Sequence, residues 1–512
     1  MKSLLILATA WPFLLLAPQL APAEATKRPN IVYVLCDDLG YGDVHCLNPQ
    51  RGKIVTPHID RLAKQGMIFT EAHSSSAVCT PSRYGILTGR YNWRSPLQHG
   101  VLEGYSPPLI AADRLTVPKL LHSAGYDTAC IGKWHLGMTM PQKQTGQKRK
   151  AAGPAAEGKE GTPDLDKMIA DGPTTRGFDY YFGISASLDM PPFAFIENDR
   201  FTEAPTVEKQ WLRKGPAAAS FEAIDVLPTL AGKAVNYLAA RAADKKPFFL
   251  YLPLNSPHTP ILPSRAWQGK SGLGKYGDFV METDWALGEV LAALDRHGLA
   301  ENTLLVFTSD NGCSPAANPP ALERQGHYPS ADRRGYKADA WDGGHHIPFV
   351  VRWPGVVRPG SRCEQLVCLN DLMATCAAML EKTLPDNAGE DSVSILPLLR
   401  GEDRAVHEAV VHHSINGRFA IRDKCWKLLL CPGSGGWSQP KDPAAEKQGL
   451  PPVQLYDMTA DVGERNNLQA EHPEEVRRLT ELLKKYIDNG RTTPGKRQEN
   501  DVKAVLLRQA FK

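Results

Sequence analysis

The chain is predicted to be an α/β protein: a large, mostly parallel sheet sandwiched by helices, then a smaller C-terminal antiparallel sheet with a helix. Three observations predict it. Near-continuous apolar runs stop abruptly at polar residues, which suits strands covered on both faces. Helical periodicities lie between those runs, the order expected of α/β layers. After about Pro385 the pattern changes to short alternating strands separated by turns.

Residues 31–36 are apolar and end at Asp37 and Asp38. Residues 128–132 end at Lys133, Trp134 and His135; residues 248–252 lead to Asn255, Ser256, Pro257 and His258. Residues 303–308 end at Ser309, Asp310 and Asn311, and another strand is expected over 347–351. Helices are expected over 60–65, 117–124, 226–243 and 277–297. Ligands of such sheets gather at the carboxyl ends of the strands, where these polar residues fall. Residues 141–175, rich in Lys, Gly, Ala, Pro and Gln, read as a surface insertion. Short antiparallel strands are expected over 406–415, 418–421 and 426–430, with turns at Asn416-Gly417 and Arg422-Asp423. A helix over 473–487 follows.

The 512 residues can hold two or more domains. With 59 Lys and Arg against 56 Asp and Glu, the net charge of +3 gives no field directed at nucleic acid. Residues 1–23 have a basic start, an apolar stretch over 4–16 and a small-x-small end at Ala21-Pro22-Ala23, and read as a signal peptide. The apolar stretch is shorter than the roughly 20 residues of a spanning helix, so export is expected without stable membrane insertion. That places the protein in the periplasm or outside the cell, or in the lysosome of a eukaryote. The expected division is a catalytic α/β domain over 24–385 and an α+β subdomain over 386–512. Ten cysteines occur without a C-x-x-C pair, against zinc-ribbon and thioredoxin readings. Cys425 and Cys431 are near enough in sequence to close a small loop, and free core thiols are equally compatible.

Candidate chemistry concentrates at six places. Cys79 opens a short helix-forming run with Pro81 in its first turn and Gly89 to end it, and Arg83 lies one turn on. Asp37 with Asp38, and Asp310 with Asn311, are paired oxygen donors at strand ends. Such a set, without a histidine or thiolate cluster, favours Ca²⁺ or Mg²⁺ over zinc. Lys133 and His135, two apart, face one side if the segment is extended. His258 lies in a loop between Pro257 and Pro260, and Lys337 precedes Gly343-Gly344 and the strand over 347–351.

The run C-T-P-S-R-x-x-x-L-T-G-R from Cys79, together with G-K-W-H-L-G, S-P-H-T-P and the carboxyl-terminal L-Y-D…G-E…N-L, resembles the type I, arylsulfatase-type sulfatases of the alkaline phosphatase-like superfamily. That resemblance implies hydrolysis of a sulfated carbohydrate or aryl sulfate. It implies that Cys79 is oxidised to formylglycine by a formylglycine-generating enzyme. Asp37, Asp38, Asp310, Asn311 and modified Cys79 would hold one Ca²⁺. Arg83, Lys133 and Lys337 would stabilise negative charge; Asp310 would assist attack by the aldehyde hydrate, His258 protonate the leaving alcohol and His135 expel sulfate. One departure stands out: the family's Glu-Gly-Gly-x-Arg is here Asp342-Gly343-Gly344-His345-His346, which leaves His346 without an assigned role. The rival within the superfamily is a phosphoester or phosphonate hydrolase. The loop over 189–193 is compatible with a sugar-pocket lining and equally with packing alone.

Overall fold

In the computed structural model, which describes residues 28–141, 167–244, 246–504 and 506, the strand Asn30–Cys36 lies inside a ten-stranded sheet. The expected signal peptide falls outside the described residues, as does most of the expected insertion. The strand pairs in parallel with Phe248–Pro253 on one side and Thr303–Ser309 on the other. Asp127–Lys133 and Tyr180–Ile184 extend the parallel core. Antiparallel pairing appears outside it: Phe349–Arg352 runs against Thr303–Ser309, and short strands at Ile196–Glu197 and Arg200–Phe201 close the far edge.

The apolar runs explain this arrangement residue by residue. Side chains alternate across a strand. Val32, Val34 and Cys36 join Leu62, Leu230, Leu238, Leu287 and Leu291 on one face. Ile31, Tyr33 and Leu35 join Tyr84, Ile86, Leu121, Met373 and Cys376 on the other. Pro57–Gln65, Val226–Ala242 and Gly274–Arg296 thus cover one side. Cys79–Thr88, Val117–His122 and Leu372–Met379 cover the other. Each large apolar side chain buried this way contributes roughly 1.5–3 kcal/mol. The parallel strands all end on one edge, so the polar residues that stop the apolar runs are gathered there.

The C-terminal sheet has four antiparallel strands, Val410–His413, Phe419–Arg422, Trp426–Leu429 and Gln454–Asp457. The first is shorter than the expected 406–415. One face packs on Pro473–Asp488 through Leu479, Leu482, Leu483 and Tyr486. Trp341 and Ala340 pack with Ala420, Leu429 and Tyr456. All ten cysteines are free; Cys425 is exposed while Cys431 is buried, so they close no loop.

Where the two sheets meet, Asp342 accepts from Arg422 and Lys427, each at 2.8 Å, and Lys427 also reaches Glu464 at 2.7 Å. Four buried histidines, His73, His345, His346 and His412, surround this network. Arg422 donates to Nε2 of His73 at 3.0 Å, and Nδ1 of His73 lies 3.1 Å from Nδ1 of His345. Nε2 of His345 lies 3.1 Å from the Lys427 ammonium, which can only donate, and 3.2 Å from the Ala340 carbonyl. Arg333 donates to Nδ1 of His346 at 2.7 Å. The position that departs from the family pattern therefore serves as an acceptor in the joint. His345 and His412 stack with ring centres 3.7 Å apart. Burial, with neighbouring cations and rings, holds His73, His345 and His412 below the ordinary histidine value and His346 down to about 3.

A group depressed in this way withholds a proton that the unfolded chain accepts, so its stabilising contribution is present above about pH 6.5 and is lost as pH falls. Replacing His412 with Asn removes one such group. Relative to wild type, the variant should gain up to about 1.4 kcal/mol of stability per pH unit below 6.5. Urea midpoints at pH 7, 6 and 5 measure this, and parallel pH profiles would contradict it.

Candidate active site

Cys79 stands at the first turn of Cys79–Thr88, whose ten residues are all buried. The helix ends at Gly89, which adopts φ +63° and returns its N–H to the Gly85 carbonyl at 2.8 Å. A Cβ at Gly89 would lie 2.8 Å from Cβ of Met373, so this turn requires glycine twice over. The thiol is 2% exposed. Burial raises its pKa, with Asp37 and Asp310 adding to the effect while Lys133 and Lys337 oppose it. An unmodified Cys79 is therefore a protonated thiol and a poor nucleophile.

The neighbouring strand ends bring the carboxylates in. Asp37 donates its N–H to the Ser256 carbonyl at 2.9 Å, and Asp310 donates its own to the Cys36 carbonyl at 3.1 Å. Asp38 sits at φ +67°, a left-handed conformation that Asp tolerates, and its N–H points to Oδ1 of Asp310 at 3.3 Å. The adjacent aspartates are each met by a protein cation. Lys133 donates to Oδ2 of Asp37 at 2.6 Å, and Lys337 lies 2.7 Å from Oδ1 and 2.8 Å from Oδ2 of Asp38. Arg83 donates through Nε to Asp310 at 2.9 Å and through a terminal nitrogen to the Lys133 carbonyl at 3.0 Å. Its other terminal nitrogen lies 2.7 Å from Asp310 and 3.7 Å from Asp37. Arg83 is thus committed to holding Asp310 and the end of the Lys133 strand.

These partners shift the carboxylates in opposite directions. Asp37 suffers burial, but Lys133, His258, Arg83 and Lys337 together hold its pKa well below the carboxylate range. Asp310 is pushed up to about 6 by burial and by the Asp37 charge, against the pull of Arg83 and Lys133. Asn311 donates Nδ2 to Asp38 at 2.7 Å and to the Gly312 carbonyl at 3.0 Å, which turns its Oδ1 away. Oδ1 of Asn311 and Oδ1 of Asp37 are both buried with no hydrogen-bond partner. Unpaired buried oxygens are costly, and a hard cation satisfies them.

The histidines approach from two other strand ends. The extended reading of the Lys133–His135 segment fails at His135, which adopts φ +56°; the N–H groups of Trp134 and His135 bond the carbonyls of Ile184 and Ser185, each at 3.0 Å. Nε2 of His135 is 2.7 Å from the Leu102 carbonyl and donates to it, leaving Nδ1 as a buried, unpartnered acceptor. Burial, then Lys133, holds His135 well below the ordinary histidine value. Nδ1 of His258 lies 2.6 Å from the Thr259 carbonyl and donates to it, so Nε2, 3.6 Å from Asp38, is the free atom. Burial, then Lys337, lowers the His258 pKa.

Some features have no counterpart in the sequence reading. The Leu102 carbonyl that fixes His135 comes from a loop tied by the Leu102 N–H to Oγ1 of Thr80, 3.2 Å away, and no motif marks it. Ser185 and Ser187 carry buried, unpartnered hydroxyls at the same sheet edge, where the amide of Asn255, already named in the sequence, is likewise unpartnered. Their signal was available, since each follows an apolar run. The 189–193 loop packs closely: a Cβ at Gly104 would lie 2.0 Å from the Pro191 carbonyl oxygen.

The sulfatase family model matches residues 29–381. An N-acetylgalactosamine-6-O-sulfatase of Bacteroides thetaiotaomicron is 35% identical over 90% of this chain and 93% of that protein. Human arylsulfatase A is 31% identical over 93% of this chain and 92% of its own length. A solved Bacteroides thetaiotaomicron structure, from work on metabolism of multiple glycosaminoglycans, superposes with a TM-score of 0.78 at 33% identity, covering 90% of this chain and 99% of that one. A phosphonate monoester hydrolase of Silicibacter pomeroyi shares the fold, with a TM-score of 0.59 at 19% identity over 91% of this chain and 96% of that one.

Arg83→Met removes the cation between two buried carboxylates at similar volume. It should lower the unfolding free energy by about 3–5 kcal/mol, with Asp310→Asn in the same chain restoring part of the loss. Denaturant titration of the three proteins tests this; an unchanged midpoint for Arg83→Met would show that the pair is dispensable.

Proposed function

The chain belongs to the sulfatase family and is a sulfuric ester hydrolase, and from that premise we propose that it desulfates sulfated glycans using formylglycine made from Cys79 and a bound Ca²⁺. The supporting observation is the set of three carboxylates and three protein cations converging on a buried Cys79, with Asp37 and Asn311 each presenting an unpartnered oxygen. Asp37, Asp38, Asp310 and Asn311 offer hard oxygen donors that fit Ca²⁺, with Mg²⁺ as the alternative. The ion would supply Lewis acidity toward the sulfuryl oxygens. Oxidised Cys79 would supply a hydrate as the attacking group, after a formylglycine-generating enzyme has acted on the chain.

The remaining steps belong to this chain's own side chains. Asp37, Asp38 and Asp310 balance Arg83, Lys133 and Lys337 in formal charge, so a divalent ion makes the cage net positive and suited to an anionic ester. Lys133 and Lys337 meet the sulfate oxygens, and Arg83 keeps Asp310 and Lys133 in place. Asp310, raised to about 6, is suited to accept a proton from the attacking group. His258, once protonated at Nε2, is made a stronger acid by its lowered pKa and gives that proton to the leaving oxygen. Nδ1 of His135 takes up the proton released when sulfate departs.

The glycan substrate rests on the Bacteroides relative's name and on the likeness to the glycosaminoglycan-metabolism structure. Among the described residues no helix is long and apolar enough to cross a membrane. Export directed by residues 1–23, to the periplasm, the exterior or a lysosome, belongs to the same reading. So does the division into a catalytic domain over 24–385 and a subdomain over 386–512.

Three measurements test these points. Mass spectrometry of the Cys79 peptide from active protein should show conversion of thiol to aldehyde, and Cys79→Ala should abolish turnover; active protein with an intact thiol would exclude the mechanism. Aryl sulfate should be turned over in preference to aryl phosphate, and the reverse order would favour a phosphoester or phosphonate hydrolase. Ca²⁺ at about 100 times its Kd should stabilise the wild type by about 2.7 kcal/mol, and Asn311→Ala should shrink that gain. An equal gain in both proteins would remove Asn311 from the site.

A further inference from the structure

The C-terminal sheet sends a glycine-rich loop against the active-site segment, and that loop carries an exposed tryptophan. Residues 431–436 are buried, whereas Trp437 is 43% exposed. The approach depends on missing side chains: a Cβ at Gly436 would stand 2.3 Å from the Ala338 carbonyl oxygen. Buried Asp339 anchors the loop, its Oδ1 accepting the N–H of Trp437 at 2.9 Å and of Ser438 at 3.0 Å. The Ala340 N–H completes the joint at 2.7 Å from the Ser434 carbonyl.

The segment that holds the tryptophan is also part of the anion cage. Lys337 pairs with Asp38, and the Ala338 N–H bonds the Ala77 carbonyl at 2.8 Å, just ahead of Cys79. Among the groups of the cage, Lys337 at 5% and His258 at 7% retain the most exposure, while Arg83, Lys133, His135 and the carboxylates have none. The accessible edge of the cage is therefore formed by His258 and Lys337, and residues 338–340, which follow Lys337, fasten the loop. On the sulfatase reading a sulfate group enters the cage, and the group that carries it stays at its accessible edge. Sugar rings present apolar C–H faces that stack on aromatic rings, and an indole combines a large apolar surface with a polar edge.

We propose that Trp437 forms a carbohydrate subsite at the mouth of the active site, stacking on the pyranose ring of the sulfated substrate. This rests on the sulfatase reading and assigns it a specificity element supplied by the C-terminal sheet. The test compares wild type, Trp437→Ala and Trp437→Phe, each matured, on 4-methylumbelliferyl sulfate and on a 6-O-sulfated N-acetylgalactosamine disaccharide. Trp437→Ala should lower kcat/KM for the disaccharide about tenfold more than for the aryl sulfate, mainly through KM, and Trp437→Phe should recover most of that difference. A preference ratio unmoved by Trp437→Ala overturns the subsite while leaving the sulfatase intact. If folded, matured wild type cleaves neither ester and does not bind the disaccharide, the glycan-sulfatase reading falls and the subsite falls with it.

Discussion

Three carboxylates and three cations packed together in the buried interior are the constraint on which the rest of this molecule depends. Ionised groups are stable in a dry interior only when opposite charges and hydrogen bonds meet them at close range. Lys133 against Asp37, Lys337 against Asp38 and Arg83 against Asp310 meet that condition, each pair joining residues far apart in sequence. The fold must therefore hold five chain segments in register to within hydrogen-bond tolerance. It does so by ending adjacent parallel strands at the same edge.

The same geometry separates the proton-handling groups. Asp37 and Asp310 are both buried carboxylates, yet one is held acidic by its cations and the other is lifted by its neighbour's charge. Such divergence between like groups marks sites of acid–base chemistry. The backbone carbonyls of Leu102 and Thr259 assign the tautomers of His135 and His258, which leaves a different nitrogen of each ring available.

A second charged interior lies at the joint with the C-terminal sheet. Asp342, Arg422, Lys427 and Glu464 resemble the active-site cage in charge, but the four histidines among them are already engaged with one another or with fixed donors. The joint matters to the site because it positions residues 336–340, which carry Lys337 and anchor the Trp437 loop. The C-terminal sheet acts on the active site through backbone contacts as well as through packing.

The apolar runs, their abrupt polar ends and the helical periods between them determined the layered fold, because alternation and burial are local consequences of side-chain chemistry. The motif residues were legible for the same reason: Cys79 before Pro81, paired donors after strands, and lysines in distinctive contexts. What only the tertiary structure decided is who meets whom. That Arg83 holds Asp310, that Leu102 orients His135, that His346 serves a joint, and that the Trp437 loop is anchored on Asp339 all join residues distant in sequence. Their energies depend on distance and on exclusion of water, and neither quantity exists until the chain has folded.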